Sequence, residues 1–506
     1  MKRLGFVLLL FLMLVSLTAC GGERAVEAGA DAGGGTLRVA LNSEPTTLNP
    51  YIWAALNDRN VFLQLYNSLM EYDPQTLKPV PGLIREAKAS EDGLTYTFTL
   101  QEGVTFHNGK PMTADDVKAS LAKAMTPEAT RTAPLLKAIK EVKVDGDRQL
   151  TVLLNNRDSL LLDSLVEVFV TPNDPSIDHS KHPVGTGPFK LNAWVRNEKV
   201  VLEKNEAYWK QGLPKLSRLE FVPIPDAEVK TLQLLNGQVD FIDIAPITRL
   251  GEIEKSTDYQ LARLGEESAI QDHLMLINNA KAPMNDRRFR KALDYALDRE
   301  VIKKALFGNF VVRSGPLPDS HETANRDIPK TTMDKAKARE LLKASGYKGE
   351  PVELLYHKID SMYDIVAQIA EQSLKDIGVN VTLRGVEIAQ FSQLVFTKKS
   401  YDLALTGIVP KPNPVDMLNH PFGKTNGASM QWQSKEWAAN LLRVSQLPEA
   451  EGRELLKQLQ SQLADQMPGI IVGGLIQTPA MSRAVSGFVP NPQSKLYFET
   501  VSVSKK

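Results

Sequence analysis

The chain has 506 residues, and its 60 Lys and Arg residues balance its 60 Asp and Glu residues. This length exceeds the size at which one hydrophobic core stops growing, so two or three domains are expected. The balanced charge favours neither nucleic acid nor an anionic surface, and we expect no nucleic-acid partner. Cys20 is the single cysteine, which excludes a disulfide and any cysteine-based metal or redox site elsewhere.

The N-terminus has the layout of a secretory signal peptide. Met1-Lys2-Arg3 is positively charged, and the uncharged stretch from Leu4 to Leu17 is too short for a comfortable bilayer crossing. It ends in Leu17-Thr18-Ala19-Cys20, which resembles the bacterial lipobox. We therefore expect a signal peptide at 1–19, lipidation of Cys20, and a flexible Gly- and Ala-rich tether at 20–35. The alternative is an ordinary signal peptide with an incidental cysteine.

The rest of the chain alternates between strand and helix patterns. Period-two alternation predicts strands at Thr36–Leu41, Leu94–Leu100, Val142–Leu154, Lys199–Leu202 and Val379–Leu383. Helical periodicity predicts helices at Thr113–Met125, which has a Thr113 cap and early acids, at Asp286–Leu297, and at Tyr363–Ile377. A helix, then Gly378, then a strand is the rhythm of an α/β layer.

Several segments together resemble the family 5 extracellular solute-binding proteins, the peptide and nickel receptors of ABC importers. Their order and spacing cover the chain from about Thr36 onwards. They are Ser43–Pro50, Glu91–Phe98, Gly103–Val117, Gly185–Phe189, Asn205 with Tyr208-Trp209, Asn236–Asp240 and Asp286–Leu293.

The resemblance implies a periplasmic-binding-protein-like α/β fold of the cluster C type, with two lobes around a hinged ligand cleft and an extra inserted subdomain. Lobe I is expected to be discontinuous, built from residues 36–65, 185–265 and 478–506. The inserted subdomain would span residues 66–184 and pack against lobe I, and lobe II would span residues 266–477.

Individual motifs also have interpretations of their own. Gly93, Gly103 and Gly109 fit turns that need positive φ. His107 lies in a signature block without a nucleophile constellation, so we expect a structural hydrogen bond there rather than catalysis. Gly185-Thr186-Gly187-Pro188 lacks the features of a phosphate loop and is expected to turn the chain.

For the charged and aromatic clusters, we favour structural roles over functional ones. Arg287, Arg288, Arg290 and Lys291 are expected to form a solvated helix face, and Tyr208-Trp209 to pack in a core. The loop Asp178–His182 offers two imidazoles and a carboxylate, but Lys181 opposes a metal there. We expect no metal site, no catalytic residue and no cofactor.

The ligand segment departs from the family pattern. Peptide-binding members have a segment in the latter part of the chain that resembles Trp-x-x-Asp-x-x-Asp-Pro. The first acid of that segment receives the ligand's ammonium group. In the matching stretch Gly407–Asp416, Gly407 takes the aromatic position, Pro410 the first acid and Asn413 the second, and Lys411 adds a positive charge. The ammonium anchor is therefore missing, unless Asp416 replaces it. Nickel-chelate binders also carry an arginine in the stretch matching Leu165–Val170, and none is present.

Four residues are ligand-contact candidates. Trp432 ends a segment, Gly427–Trp432, that resembles the turn following the ligand segment, and it offers either a pocket wall or packing beneath that turn. The others are Glu44, Asn413 and Asp416.

The resulting hypothesis is a lipid-anchored extracytoplasmic receptor that captures short peptides or peptide-like solutes. It would act as a monomer and deliver its solute to ABC permease subunits. One alternative is a receptor for nickel or another metal in a chelator complex, and another, from a different class, is an exported peptide or amide hydrolase. A role in reporting the solute to a membrane sensor also stays open.

Overall fold

A computed structural model describes residues 34–504 except 54, 75, 265–270, 314, 320, 359–360, 409–410, 412, 424–426, 433 and 492, with only the backbone at 271–272 and 427–428. Lipidation of Cys20 and most of the tether thus lie outside the described residues. The strands, in chain order, are β1 Thr36–Leu41, β2 Met70–Tyr72, β3 Pro79–Pro81, β4 Ile84–Ala89, β5 Thr95–Leu100, β6 Ile139–Gly146, β7 Gln149–Leu154, β8 Phe189–Val195, β9 Lys199–Lys204, β10 Arg218–Pro223, β11 Phe241–Ile242, β12 Tyr259–Leu261, β13 Gln271–Ile277, β14 Phe310–Val311, β15 Val352–His357, β16 Val381–Val386, β17 Leu403–Ile408, β18 Gly469–Leu475, β19 Ala480–Ser482, β20 Val485–Ser486 and β21 Ser502–Val503.

The α-helices alternate with these strands. They are α1 Leu56–Leu65, α2 Ala114–Ala124, α3 Leu161–Leu165, α4 Ala227–Leu235, α5 Leu250–Glu254, α6 Arg287–Ala296, α7 Arg299–Ala305, α8 Lys335–Ala344, α9 Ser361–Ile377, α10 Ile388–Ser392, α11 Pro414–Phe422, α12 Gly427–Met430, α13 Lys435–Arg443 and α14 Glu449–Gln466. Short 3₁₀ turns lie at 133–136, 247–249 and 444–446, and a π turn lies at 393–397. Among the described residues, none of these helices is both long enough and apolar enough to cross a membrane.

The lobe I sheet has seven strands in the order β12-β19-β11-β1-β10-β9-β8. Its central strand β1 runs parallel to both β10 and β11, and the outer strands are antiparallel. β1 is buried on both faces, with Leu37, Val39 and Leu41 in one core and Ala40 in the other. Parallel strands of this kind bring their carboxyl ends to the same edge of the sheet.

The inserted subdomain contains the four-stranded antiparallel sheet β4-β5-β7-β6. Tyr96, Phe98 and Leu100 alternate inward along β5 and pack with Val117 and Leu121 of α2. The long alternation at Val142–Leu154 proves to be a hairpin, because the turn between β6 and β7 folds the second half back on the first.

The lobe II sheet has six strands in the order β14-β18-β13-β17-β15-β16. β15 is parallel to β16 and β17, and apolar clusters cover both faces of the sheet. Two connections join it to the lobe I sheet, one between β12 and β13 and one between β18 and β19. All strands of each sheet fall within the domain boundaries expected from the sequence, and the boundaries themselves stay predictions.

The predicted helices form, with small shifts at their ends. Asp116 Oδ2 accepts hydrogen bonds from the backbone N–H and the hydroxyl of Thr113, both at 2.9 Å, and so closes the start of α2. Asp286 caps α6 by accepting a 2.7 Å bond from Arg288 N. β16 begins two residues later than its pattern predicted, because the Val379 N–H donates to Leu374 O near the end of α9 (3.1 Å) instead of entering the sheet.

The signature block folds as its glycines require. Gly93, Gly103 and Gly109 have φ of 67°, 70° and 82°, which confirms the predicted turns. His107 accepts a hydrogen bond at Nδ1 from Gly185 N (3.3 Å), so Nε2 carries the proton and donates to Gly187 O (3.1 Å). Burial lowers the pKa of His107 to about 4, so the imidazole is neutral and structural, as expected.

The Gly185–Pro188 segment turns the chain against the end of α1. Gly187 N donates to Leu65 O at 3.0 Å. A Cβ at Gly185 would lie 2.1 Å from the same carbonyl oxygen, so only glycine permits this approach.

The prediction of a solvated basic face on α6 is wrong for one residue. Arg287 and Lys291 reach Asp465 at the surface, at 2.6 and 3.1 Å. Arg290 is instead 5% exposed and donates to the carbonyl oxygens of Met284, Asn285, Gln466 and Met467. Its helix register turns it inward, where it binds the otherwise unpaired carbonyls at the end of α14.

The Asp178–His182 loop and the Tyr208-Trp209 pair make internal contacts. Asp178 accepts bonds from Ser180, and His179 Nδ1 lies 3.3 Å from the Tyr66 hydroxyl. Tyr208 is buried as expected, whereas Trp209 is only half-buried and donates to Asn67 Oδ1 at 3.0 Å.

Candidate functional site

A cavity of about 290 Å³ opens at the carboxyl edge of the lobe I sheet, between the ends of β1 and β11 and the start of α1. In open α/β sheets with parallel strands, ligands bind in the crevice outside these strand ends. The volume is near the lower end of the range for small-molecule sites. Its lining combines apolar residues with nine polar ones, and the polar ones are Asn42, Ser43, Asn57, Asn60, Asp243, Gln477, Asn491, Ser494 and Lys495.

A buried lysine fixes the two strand ends that form this cavity. Lys230 is 1% exposed, and its ammonium donates to Asn42 Oδ1 at the end of β1 and to Asp243 Oδ1 (2.5 Å) at the end of β11. Leaving such a charge unpaired would cost several kcal/mol, so the two acceptors hold the cavity wall in one geometry.

The hinge borders the same cavity through Leu264 and Gln477. Asn309, which is 1% exposed, accepts hydrogen bonds at Oδ1 from Arg263 and Thr478, both at 2.9 Å. One amide therefore ties together the two segments that cross between the lobes. Any opening of the lobes must pivot near this point.

Buried charges lie next to the cavity, on the side facing the inserted subdomain. Lys495 Nζ lies 2.9 Å from Glu167 Oε1 and 5.6 Å from the centre of the Tyr72 ring. Burial alone would raise the pKa of Glu167, but Lys495 and Arg59 outweigh it and hold that pKa below its usual range. Glu167 is therefore ionised within a cationic surrounding.

Two arginines complete this cluster. Arg59 on α1 is 5% exposed and donates to Gln493 O at 2.6 Å, but its Nε has no hydrogen-bond partner among the described residues. Arg131 is exposed, and its guanidinium lies 4.0 Å from the centre of the Trp53 ring. Burial lowers the pKa of both arginines, and the Glu167 charge opposes that shift.

The structure brings two of the four candidate ligand residues together. Asn413 caps α11 by accepting a 2.8 Å bond from Asp416 N, and its amide donates to Asp416 Oδ2 at 3.0 Å. Burial raises the pKa of Asp416, against the opposing effects of Asn413 and Lys411. Pro410 lies outside the described residues.

The other two candidates lie elsewhere and already have protein partners. Glu44 Oε1 accepts bonds from Trp194 Nε1 (2.9 Å) and Arg196 (3.3 Å), at the edge of the lobe I sheet. Trp432 is half-buried and meets Trp437 edge to face, with ring centres 5.5 Å apart. The assignment of all four residues as ligand contacts stays a prediction.

Sequence reasoning missed Arg59, Arg131, Glu167 and Lys495, which the fold collects from distant parts of the chain. The search for an arginine at Leu165–Val170 found none, whereas Arg131 acts on Glu167 in that same stretch from another loop. No spacing pattern connects these positions, so the sequence offered no signal for the cluster.

The inserted subdomain also contacts lobe II. Ser159 N donates to Ser445 O at 2.8 Å, and Lys78 pairs with Glu322 at 2.7 Å. Beside these contacts, burial raises the pKa of Asp163 to about 7 and that of Asp158 to about 6. This boundary therefore holds carboxyl groups whose ionised form is disfavoured by burial.

The donor groups around the cavity are amides, hydroxyls and paired charges, arranged for binding. This arrangement, on two sheets joined by two hinge segments, defines a solute-binding protein. The family model for "Bacterial extracellular solute-binding proteins, family 5 Middle" matches residues 78–429. The chain belongs to this family, whose members are receptors and not enzymes, so the hydrolase alternative is wrong.

Similar proteins agree in class. The glutathione-binding protein GsiB of Pectobacterium atrosepticum is 27% identical over 489 residues, which cover 92% of this chain and 94% of the relative. The substrate-binding protein CtaP of Listeria monocytogenes has the same two-lobed fold, with a TM-score of 0.85, 22% identity, and coverage of 94% of this chain and 100% of CtaP. AppA of Bacillus subtilis, solved with a nonapeptide, gives a TM-score of 0.75 at 23% identity, covering 94% of this chain and all of AppA.

Proposed function

We propose that this protein captures short peptides or peptide-like solutes outside the cytoplasm and delivers them to the permease of an ABC importer. The observation that carries the proposal is the cavity at the carboxyl edge of the lobe I sheet, which is lined by both polar and apolar residues and bordered by both hinge segments. Family 5 proteins partner with ABC permeases, and among the relatives named above GsiB is a glutathione-binding protein and AppA was solved in complex with a nonapeptide. The receptor acts as a monomer.

Unpaired buried atoms support a solute beside this cavity. Arg59 Nε and Gln493 Oε1 have no hydrogen-bond partner among the described residues, and Gln493 lies between the lining residues Asn491 and Ser494. Each buried polar atom without a partner costs about 1–3 kcal/mol. A peptide, with a donor and an acceptor at every residue, is suited to supply both partners.

The proposed mechanism is closure around the solute. A solute drives closure only as far as it binds the closed state better than the open one. Residues from lobe I, the hinge and the inserted subdomain contact it first, and lobe II completes the site. Release to the permease then requires the reverse motion, with no covalent step.

Native mass spectrometry of protein purified without refolding tests this function. We expect a retained peptide or peptide-like mass, and capture of short peptides when the emptied protein is offered an equimolar peptide set. Capture of none of them, with the fold intact by circular dichroism, would overturn the proposal. A retained mass that contains a stoichiometric metal, checked by elemental analysis, would instead favour the metal-chelator alternative.

The membrane anchor is proposed separately, from the lipobox resemblance at Cys20. Cys20→Ser removes the thiol that forms the thioether, so the protein should move from the membrane fraction to the soluble fraction. The neighbouring substitution Gly21→Ala is the matched control and should leave the protein on the membrane. Membrane attachment of both variants would show that this interpretation is wrong.

A further inference from the structure

Four asparagines line the cavity at the carboxyl edge of the lobe I sheet, and each leaves half of its side-chain amide unpaired among the described residues. They are Asn42, Asn57, Asn60 and Asn491. Asn57, Asn60 and Asn491 are only 8%, 4% and 7% exposed. The unpaired halves are not enclosed by protein, so they open onto the cavity that these residues line.

Backbone donors fix which half of two of these amides is left over. The Leu496 N–H donates to Asn60 Oδ1 at 3.3 Å, and the Gln493 N–H donates to Asn491 Oδ1 at 2.8 Å. A backbone N–H can only donate, so each of these amides presents its oxygen to the protein. Asn60 and Asn491 therefore present their NH2 groups to the cavity.

The other two amides are fixed in the same way. The Lys230 ammonium, which can only donate, bonds Asn42 Oδ1, so Asn42 also leaves its NH2 group unpaired. Asn57 has the opposite orientation, because its Nδ2 donates to the carbonyl oxygen of Ser43 at 3.2 Å and its Oδ1 is left over. The four amides thus offer the cavity three donor groups and one acceptor. Carbonyl oxygens, each with two lone pairs, suit such a wall.

The charges on the cavity wall are balanced. Two ionisable residues line the cavity, Asp243 and Lys495. Asp243 pairs with Lys230 at 2.5 Å, and Lys495 pairs with Glu167 at 2.9 Å. A charged group of the solute would find no spare counter-ion on this wall, and burial without a partner disfavours it.

The charges directly behind the wall are also opposite in sign. Arg59 and Asp58 are adjacent on α1, are 5% and 0% exposed, and do not line the cavity. Arg59 donates to Gln493 O at 2.6 Å, and Asp58 accepts bonds from the backbone N–H and the hydroxyl of Thr46. Neither charge is therefore directed at the cavity.

The rest of the lining is mainly apolar. Leu56 at the start of α1, Ile244 after β11, Leu264 at the hinge and Phe488 all border the cavity. Apolar surface of this kind favours an uncharged side chain, because a charged one would lose its hydration here. The cavity thus combines an amide wall for carbonyl oxygens with an apolar wall for a neutral side chain.

We infer that this cavity holds an uncharged peptide unit of the solute, with acceptor oxygens on the NH2 groups of Asn42, Asn60 and Asn491 and a neutral side chain on the apolar wall. The inference rests on the proposed function and specifies its solute, which carries an uncharged residue at the position that enters the cavity. Charged termini and charged side chains are excluded from it.

A peptide scan tests this selection. Emptied protein is offered alanine tetrapeptides in which one position at a time is Gln, Glu or Lys, and capture is compared by native mass spectrometry. At one interior position, Gln should be captured about ten- to hundredfold better than both Glu and Lys. If Glu or Lys is captured as well as Gln at every position, the inference is wrong and the proposed function stands. Capture of no peptide would overturn both.

Two variants then test the amide donors. In Asn60→Asp and Asn491→Asp, one carboxylate oxygen can keep the bond from the backbone N–H, while the other places a negative charge where the NH2 group was. Calorimetric titration of the best-captured peptide should show about ten- to hundredfold weaker binding to each variant. The exposed Asn108→Asp is the matched control, because Asn108 Oδ1 also accepts a backbone bond, from Lys110 N, and it should stay within twofold.

The same variants should reverse the charge preference. An ionised acid in the wall gives a lysine side chain a partner, so Asn60→Asp and Asn491→Asp should capture the Lys peptide better than the Glu peptide at the position identified in the parent. If both variants bind the Gln peptide within twofold of the parent, with unchanged melting temperatures, the uncharged unit binds elsewhere. The peptide scan uses the parent protein, so it decides the matter even if a variant fails to fold.

Discussion

On the lobe I side of the cleft the buried charges are paired within the protein, whereas on the lobe II side Lys411 Nζ makes no hydrogen bond or ion pair with the described residues, although the Asp416 charge acts on it. Lys230 bonds Asn42 and Asp243, and Lys495 pairs with Glu167. The charges on the first side are therefore fixed before a solute arrives, while Arg59 Nε and Gln493 Oε1 beside them have no hydrogen-bond partner among the described residues. A charged wall that is already ordered suits a receptor, because ordering it costs nothing when the solute binds.

The largest expected effect lies on the paired side. Glu167→Gln should leave Lys495 and Arg59 buried without a full counter-ion and lower the free energy of unfolding by about 3–5 kcal/mol. Denaturant titration measures this change. The double variant Glu167→Gln with Lys495→Met removes both charges and should recover part of the loss. The exposed Glu198→Gln should change stability by less than about 0.5 kcal/mol. A similarly small loss for Glu167→Gln would contradict the comparison.

Trp437 and Trp432 of lobe II differ in burial, and substituting each of them separates a packing role from a ligand contact. Trp437 is 2% exposed and donates to Leu459 O at 3.1 Å, so Trp437→Ala should cost about 3–5 kcal/mol of unfolding free energy. Trp432 is half-buried, and Trp432→Ala should cost about 1 kcal/mol, since it loses mainly the edge-to-face contact. Calorimetric titration of Trp432→Ala decides its predicted role, because a wall residue weakens solute binding and a packing residue does not.

The boundary between the inserted subdomain and lobe II should respond to pH. Asp163 has a pKa of about 7 in the folded protein, raised by burial from its ordinary value of 3.8. The folded state therefore binds more protons between these values, and this contribution to stability is present at low pH and lost as pH rises through about 7. Asp163→Asn should be more stable than the parent at pH 8 by about 1–3 kcal/mol, with the difference vanishing towards pH 4.

Denaturant titration of the parent and Asp163→Asn at pH 5, 6.5 and 8 measures that difference. Asp163 Oδ1 accepts a hydrogen bond from the Tyr72 hydroxyl at 3.3 Å, and an asparagine oxygen can accept the same bond. Asp327→Asn, at an exposed position, should show no such trend. A constant difference across this range would mean that Asp163 does not titrate there.

The smallest expected effect concerns Glu44. Its carboxylate is engaged by Trp194 and Arg196, 2.9 and 3.3 Å away, so Glu44→Gln should keep one acceptor and lose about 1 kcal/mol of stability or less. If Glu44 also contacts the solute, titration will show weaker binding by tenfold or more. Affinity within twofold of the parent would restrict Glu44 to its structural bonds.

Much of the local structure followed from the sequence because it depends on neighbours in the chain. The cap at Thr113 and the turns at Gly93, Gly103 and Gly109 each need only a few adjacent residues, and all of them form. The signature motifs also identified the family, and with it the two-lobed fold and the absence of catalysis.

The charge distribution of the cleft depended on tertiary structure. Arg290 was expected in solvent because its neighbours are charged, but the end of α14 and the segment just before α6 each offer it two carbonyl oxygens. Arg59, Glu167 and Lys495 are each more than a hundred residues apart in the sequence and carry no common motif. The composition and spacing of residues indicate which side chains a single helix or strand can bury. Only the packing of distant segments decides which charges meet, because electrostatic energy depends on distance in space and on burial.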